Sequence, residues 1–222
     1  MSRATLALVQ LCDSLFPLGA FAHSDGLEAA VASGRVESAG DFRSWLHATL
    51  AAAADADVPA VRGAVAALDT GSMDALVQLD DEVWALRSSA TGRDASRAMG
   101  ARLLATWQRI RPGPTVSSVL ALDRMFTLPV AFGIVCAASG ATRVEAIESY
   151  LYSRLAATVS AGMRLIALGQ HEAHALLAEA LDRVPPLAAS LDRSEAPPRS
   201  FVPLLDIAAM SHQYVHSRLF RS

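Results

Sequence analysis

Apolar residues recur along this chain at the spacing of a helix and nowhere at the spacing of a strand. Phe42, Trp45, Leu46 and Leu50 fall at i, i+3, i+4 and i+8, and Leu76, Leu79, Val83 and Leu86 repeat the pattern. Ile147, Tyr150, Leu151, Leu155, Val159, Met163 and Ile166 keep one face over a longer stretch. Start signals agree with these faces. Ser38 with Asp41 and Thr142 with Glu145 have capping-box spacing, and Ser72 stands where an N-cap is needed. Residues 92–110 form another helical pattern, closed by Arg111-Pro112-Gly113-Pro114, and Leu168-Gly169 breaks the long one. Pro59, which has no backbone N–H, predicts a kink or an end to the helix that begins near Ser38. The fold class is therefore all-α, a compact multi-helix bundle.

One domain, 1–222, accounts for the length and for the composition, which is 52% hydrophobic and 18% charged. A chain this long buries roughly 70% of its extended surface and needs no disulfide or metal staple. Cys12 and Cys136 lie far apart in apolar surroundings and read as free buried thiols. Pro185, Pro186, Pro197, Pro198 and Pro203 predict an irregular loop over 184–203 before a last helix at 204–216 and a tail at 217–222. The longest apolar run, 128–140, is too short to span a bilayer, and the N-terminus lacks a cleavage pattern, so a cytoplasmic location without a membrane is expected. A net charge of −3 excludes a general nucleic-acid binder, which wants a strongly basic face.

No catalytic residue is assigned, because no nucleophile elbow, P-loop or glycine-rich phosphate turn is present. Two histidine pairs could share helix faces: His171 with His174, and His212 with His216. The second imitates a metalloprotease helix but carries Gln213 where the general-base glutamate belongs. Solvated or capping histidines are the plainer reading of both pairs. Charge is segregated: Asp69, Asp74, Asp80, Asp81 and Glu82 are followed by Arg87, Arg93, Arg97, Arg102, Arg109 and Arg111, with Asp94 among them. Such neighbours either complement each other or form a docking face. The arginine-flanked Leu219-Phe220 tail reads either as a frayed end or as an anchor that orders on a partner.

Four stretches resemble the urease accessory protein UreF family: "LVQLCDSLFPLGAFAHSDGLEAA", "RDASRAMGARLL", "IALGQ" and "DIAAMSHQYVHSRLFRS". They fall in the family's order and span essentially the whole chain. The resemblance implies an all-α, dimeric, non-enzymatic scaffold between UreD (also called UreH) and the GTPase UreG. By the same resemblance, that assembly assists GTP-dependent nickel insertion into apo-urease and modulates UreG turnover. Nickel is then cargo, and no tightly bound cofactor is implied. The matching partner-binding positions are Phe16, Pro17, Gly19, Phe21, His23, Ser24, Gly26, Leu27 and Glu28, with Asp13 and Ser14 before them. Arg97, Gly100 and Leu103 match the middle motif, and Gly169 and Gln170 the third. His212, Arg218, Leu219, Phe220, Arg221 and Ser222 match the last, which the resemblance assigns to the UreD contact.

The chain departs from the family at Ala167, at Gln213 and in "RSSATGRDAS", which lacks a glutamate common there. A direct nickel-binding metallochaperone or metal-dependent enzyme using the paired histidines is the alternative. Within the first motif, Pro17 stops a helix, Gly19 permits the turn, and Asp25 with Glu28 has capping-box spacing for the next helix. Phe16 and Phe21 would pin this turn to the bundle, with His23 polar at its edge.

Overall fold

In the computed structural model, which describes residues 1–19 and 22–221, helices follow one another with no strand among the described residues. They are α1 (Arg3–Cys12), α2 (Leu27–Ala32), α3 (Ala39–Ala52), α4 (Val58–Asp69), α5 (Met73–Leu86) and α6 (Ala90–Ile110). After these come α7 (Pro114–Leu120), α8 (Leu128–Ala138), α9 (Arg143–Leu165), α10 (Gln170–Leu181), α11 (Val184–Asp192) and α12 (Pro203–Ser211). Both capping boxes form, with Asp41 and Glu145 reaching back to the N-cap backbone of Ser38 and Thr142. The Ser72 hydroxyl accepts from the Ala75 N–H as the N-cap of α5.

Two apolar cores meet along α9. Ala146 and Tyr150 of α9 join the core built from α1, α4, α5, α6, α7 and α8, while Ile147, Leu151 and Leu155 join the one built from α2, α3, α10 and α11. A long amphipathic helix covered on two sides explains why its apolar face reads so widely in the sequence. The helix in the middle of the first core, α8, is buried along almost its whole length, from Leu128 to Cys136.

Pro59 neither ends nor sharply breaks the helix. A π-helical turn at Ala53–Asp57 joins α3 to α4, and Pro59 sits in the first turn of α4, where its missing N–H is tolerated. The Asp55 carbonyl, to which Pro59 cannot donate, accepts instead from the Arg199 N–H at 3.0 Å. This backbone contact fastens the chain that leads into α12.

The region expected to be irregular is only half so. Val184–Asp192 is helical, because Pro185 and Pro186 fall in its first turn, and Val184 and Ala188 are buried. Residues 193–202 are the irregular part. The last helix is also shorter than expected: α12 stops at Ser211, and His212–Tyr214 tightens into a 3₁₀ turn. His212 and His216 therefore do not occupy successive turns of one α-helix.

The helices of the acidic and basic runs meet through an aromatic ring, and the acids find their arginine beyond the basic run. Arg93 and Arg97 of α6 lie over Trp84 of α5, at 5.3 and 4.7 Å from the ring centroid. Arg124 bridges Asp80 and Asp81, and the fully buried Asp80 also accepts from the Thr127 N–H at 2.7 Å.

Candidate partner-docking surface

The first and last motifs, almost a chain length apart, meet on one side of the bundle. Gly19 lies in the turn after α1 at φ 81° as expected, but Pro17 is not what stops the helix, which already ends at Cys12 with Asp13 as its C-cap. The Asp13 side chain accepts from the Leu15 N–H at 2.6 Å, and Phe16 is buried at 6.1 Å from the Trp107 ring. Arg102 donates to the Leu18 carbonyl at 3.1 Å. Phe21 and Ser222, both expected at the docking surface, lie outside the described residues.

The expected capping box at Asp25 and Glu28 does not form. Gly26, at φ 89°, is the N-cap of α2 and has no side chain to cap with, so the Ser24 hydroxyl accepts from the Glu28 N–H at 3.4 Å. Both carboxylates are drawn to tertiary partners instead. Glu28 is buried, and its carboxylate meets His212 Nε2 at 2.7 Å and accepts from the backbone N–H groups of Leu219 at 2.5 Å and Phe220 at 3.3 Å. One buried acid thus holds the 3₁₀ turn and the tail together. The Arg221 N–H donates to the Ala22 carbonyl at 2.8 Å, and Phe220 is buried in the second core with the Arg164 guanidinium 4.7 Å above its ring. The tail is therefore docked on its own chain through residue 221 rather than frayed.

Asp25 turns to the other side of the loop. It pairs with Arg154 of α9 at 2.6 Å, and nearby Asp57 accepts from Arg87 at 2.9 Å and from the Tyr150 hydroxyl at 2.8 Å. Burial pushes the Asp25 carboxyl up, but the Arg154 and Arg87 charges outweigh it and hold the carboxyl below its ordinary value. Burial lowers the Arg154 guanidinium, and its acidic neighbours more than reverse this. Tyr150 is pushed well up by burial and by the Asp57 charge. His23, partly buried, is lowered first by burial, against the pull of Asp25, and further by Arg221, Arg102 and Arg154.

The outer face of this assembly is apolar. Phe201, Leu204, Ile207, Met210, Tyr214 and Leu219 are between 47% and 89% exposed. Leu204, Ile207 and Met210 recur every third residue and share a face of α12. A monomer rarely leaves a contiguous apolar stripe open unless something covers it. The spacing of these three residues was visible in the sequence. No local pattern revealed Arg154, Asp57 or Arg87, whose partners lie far along the chain.

The remaining candidate residues divide by depth. Ser24, Gly26, Leu27, Glu28, His212 and Phe220 are buried and brace the surface, while Arg218, Leu219 and Arg221 are exposed on it. Gly100 and Leu103 are buried in α6, and a Cβ at Gly100 would stand 2.1 Å from the Phe126 carbonyl, so Gly100 serves helix packing. Arg97 lies over Trp84, and Gly169 and Gln170 are exposed at the α9–α10 corner. His171 and His174 are exposed on α10, and among the described residues no three His, Cys, Asp or Glu side chains gather as a metal site would require. The Cys12 thiol is raised by burial and receives a bond from Ser153. What the geometry offers is an anchored apolar surface suited to binding.

A model of the UreF family matches residues 36–181. The chain belongs to the UreF family. The chain is 31% identical to the urease accessory protein UreF of Methylibium petroleiphilum, over 98% of this chain and 93% of that protein. It is 33% identical to the one from Cereibacter sphaeroides over the full length of both. The UreF of an Arthrobacter species is 32% identical, over 98% of this chain and 96% of its own. The match of whole chain to whole chain includes the first and last motifs, which the family model leaves outside. No helix among the described residues is long and apolar enough to cross a membrane.

Proposed function

We propose that this chain serves urease maturation as a non-enzymatic scaffold in the cytoplasm. It binds UreD/UreH through the apolar stripe of α12 and the tail, and recruits the GTPase UreG to apo-urease for GTP-dependent nickel insertion. Nickel is the cargo of that assembly. The observation carrying this reading is the open row Leu204, Ile207 and Met210, flanked by Phe201, Tyr214 and Leu219 and braced by Glu28 and His212. The printed names of the relatives supply the urease context. A surface of this kind gains affinity by burying large apolar side chains at its centre, with Arg218 and Arg221 at its polar rim.

The same reading makes the chain a homodimer. A groove of about 900 Å³ runs between α1 and α9, lined by Leu8, Val9, Tyr152 and Met163 among others. Leu6, Val9 and Tyr152 are exposed around it, which supports self-association on that side and leaves α12 for UreD. UreG then meets the assembled dimer, where contact with the scaffold modulates its GTP hydrolysis.

The test is co-purification of the chain with UreD and UreG, followed by size-exclusion chromatography. A Leu204→Ser, Ile207→Ser double variant is expected to lose UreD while keeping its own melting temperature, because both side chains already face water. Retention of UreD at wild-type affinity by that variant overturns the assignment of the surface.

A further inference from the structure

The helix that carries the stripe is seated in an unusual way. Of the nine residues of α12, only Ala208 is buried. Beneath it lies a cavity of about 140 Å³, lined by Leu205, Asp206 and Ala209 from above and by Asp25, Arg87 and Arg154 from below. The cavity wall mixes these charged groups with apolar ones such as Val83, Leu86 and Val202, and side chains do not interlock across it, so α12 is held at few points. Its supports are few and specific. Asp206 accepts from the Ser88 hydroxyl at 2.7 Å. Gly26 touches the helix backbone to backbone: a Cβ there would stand 2.7 Å from the Ala209 nitrogen and 3.0 Å from the Ala208 carbonyl carbon. The height and tilt of α12 follow from where the backbone at residues 25–26 stands.

That backbone is held in a disfavoured shape. Asp25 has φ 49° and Gly26 φ 89°, two successive left-handed residues, and the first is not glycine. Such a conformation persists only where its surroundings over-determine it. The Asp25 carboxylate is anchored by Arg154 Nη1 at 2.6 Å. Arg154 is largely enclosed, with 19% of its side chain exposed, and its Nε–H has no protein partner. The guanidinium thus spends its directional bonding on the loop.

We propose that Arg154 is the positioning residue of the docking surface: through Asp25 it fixes the left-handed turn at 25–26, and through Gly26 it sets the presentation of the α12 stripe. Arg154 does not reach the stripe and makes no contact with the partner. The inference rests on the reading of that stripe as the UreD surface, and deepens it by separating the residues that touch from the one that aims them.

Hydrogen exchange of the full chain, with UreD affinity measured on the same samples, tests this. Arg154→Gln and Asp25→Asn are each expected to speed amide exchange in 203–214 by about tenfold and to weaken UreD binding by a similar factor, while α4 and α8 exchange as before. The Arg154→Gln, Asp25→Asn double variant is expected to behave like either single one, because both remove the same contact. Arg154→Lys is expected to restore much of the protection, since one nitrogen makes the bond to Asp25. Should Arg154→Gln fold poorly, Asp25→Asn carries the same readout with a smaller change. Unchanged exchange in 203–214, or single effects that add in the double variant, overturns the proposal. Faster exchange in Arg154→Gln beside a stripe variant that still binds UreD keeps the positioning role and removes the docking reading. A stripe variant that loses UreD while Arg154→Gln changes nothing does the reverse.

Discussion

The α4–α6–α8 core and the C-terminal seat both rely on close backbone approach, yet they are secured by different physics. In the core, a Cβ at Gly133 of α8 would stand 2.6 Å from the Val61 carbonyl oxygen and 2.8 Å from the Ala64 Cβ of α4. The surrounding side chains are almost all aliphatic or aromatic and out of contact with water. At the seat, Gly26 meets α12 just as closely, but what surrounds the contact is a cavity of mixed lining and a set of carboxylate bonds. Dense apolar packing leaves an element one position, whereas a few charge-assisted bonds can be broken and remade at moderate cost. The core is thus a fixed frame, and the C-terminal segment is a fitted part whose pose depends on named polar contacts.

The largest effect should come from attacking the frame. Gly100→Val would drive a side chain into the Phe126 carbonyl and the Thr127 backbone, which cannot rotate away as a side chain tip can. We expect a loss of about 3 kcal/mol or more in urea unfolding, with cooperative loss of every helix. A near-neutral result would show that the frame yields as easily as the seat and would erase the contrast.

A smaller and local effect is expected at Glu28. Glu28→Ala leaves His212 and two tail N–H groups without their acceptor, a cost of about 2–3 kcal/mol borne by the segment they hold. Amides of 215–221 should then exchange like an open chain, while the midpoint for the frame moves little. Glu28→Gln keeps one acceptor oxygen and should fall between. A global loss of stability in Glu28→Ala, equal to that of Gly100→Val, would mean that seat and frame unfold as one unit.

The two regions also differed in how far the sequence disclosed them. The frame was legible because its signals are local. Ser72 caps α5 and Thr142 with Glu145 caps α9 at three-residue spacing, and the apolar faces repeat within single helices. The seat was only half legible. Its two motifs could be picked out by resemblance, but the pairs Glu28–His212, Asp25–Arg154 and Asp57–Arg87 join elements set beside one another only by the folded path. Local logic even misled at Asp25 and Glu28, where the spacing of a capping box was taken over by tertiary partners, those of the buried Glu28 in a drier setting in which charged bonds are stronger. Pro185 and Pro186 misled in the opposite sense, since proline is welcome in the first turn of a helix.

The smallest effect expected is the most diagnostic of how the seat is held, and it lies in the pH dependence of exchange at 203–214. Asp25 has its folded carboxyl below the ordinary value, so the folded chain binds fewer protons there than the unfolded chain does. Its contribution is complete above the unfolded value of about 3.9 and fades as pH falls through the lower, folded one. His23 is also lowered, by burial and by arginine charges, but for a base the consequence differs. The folded state resists the proton that the unfolded state accepts below about pH 6.5, so His23 withdraws stability as pH falls from there. Wild-type protection should therefore decline gently below about pH 6.5 and more steeply below about pH 4. Asp25→Asn should be less protected at pH 7 and should lack part of the second decline, whereas His23→Gln should lack the first. Parallel curves for wild type and Asp25→Asn across the acid range would show that the carboxylate charge does not hold the seat, and would return it to the same apolar packing that fixes the frame.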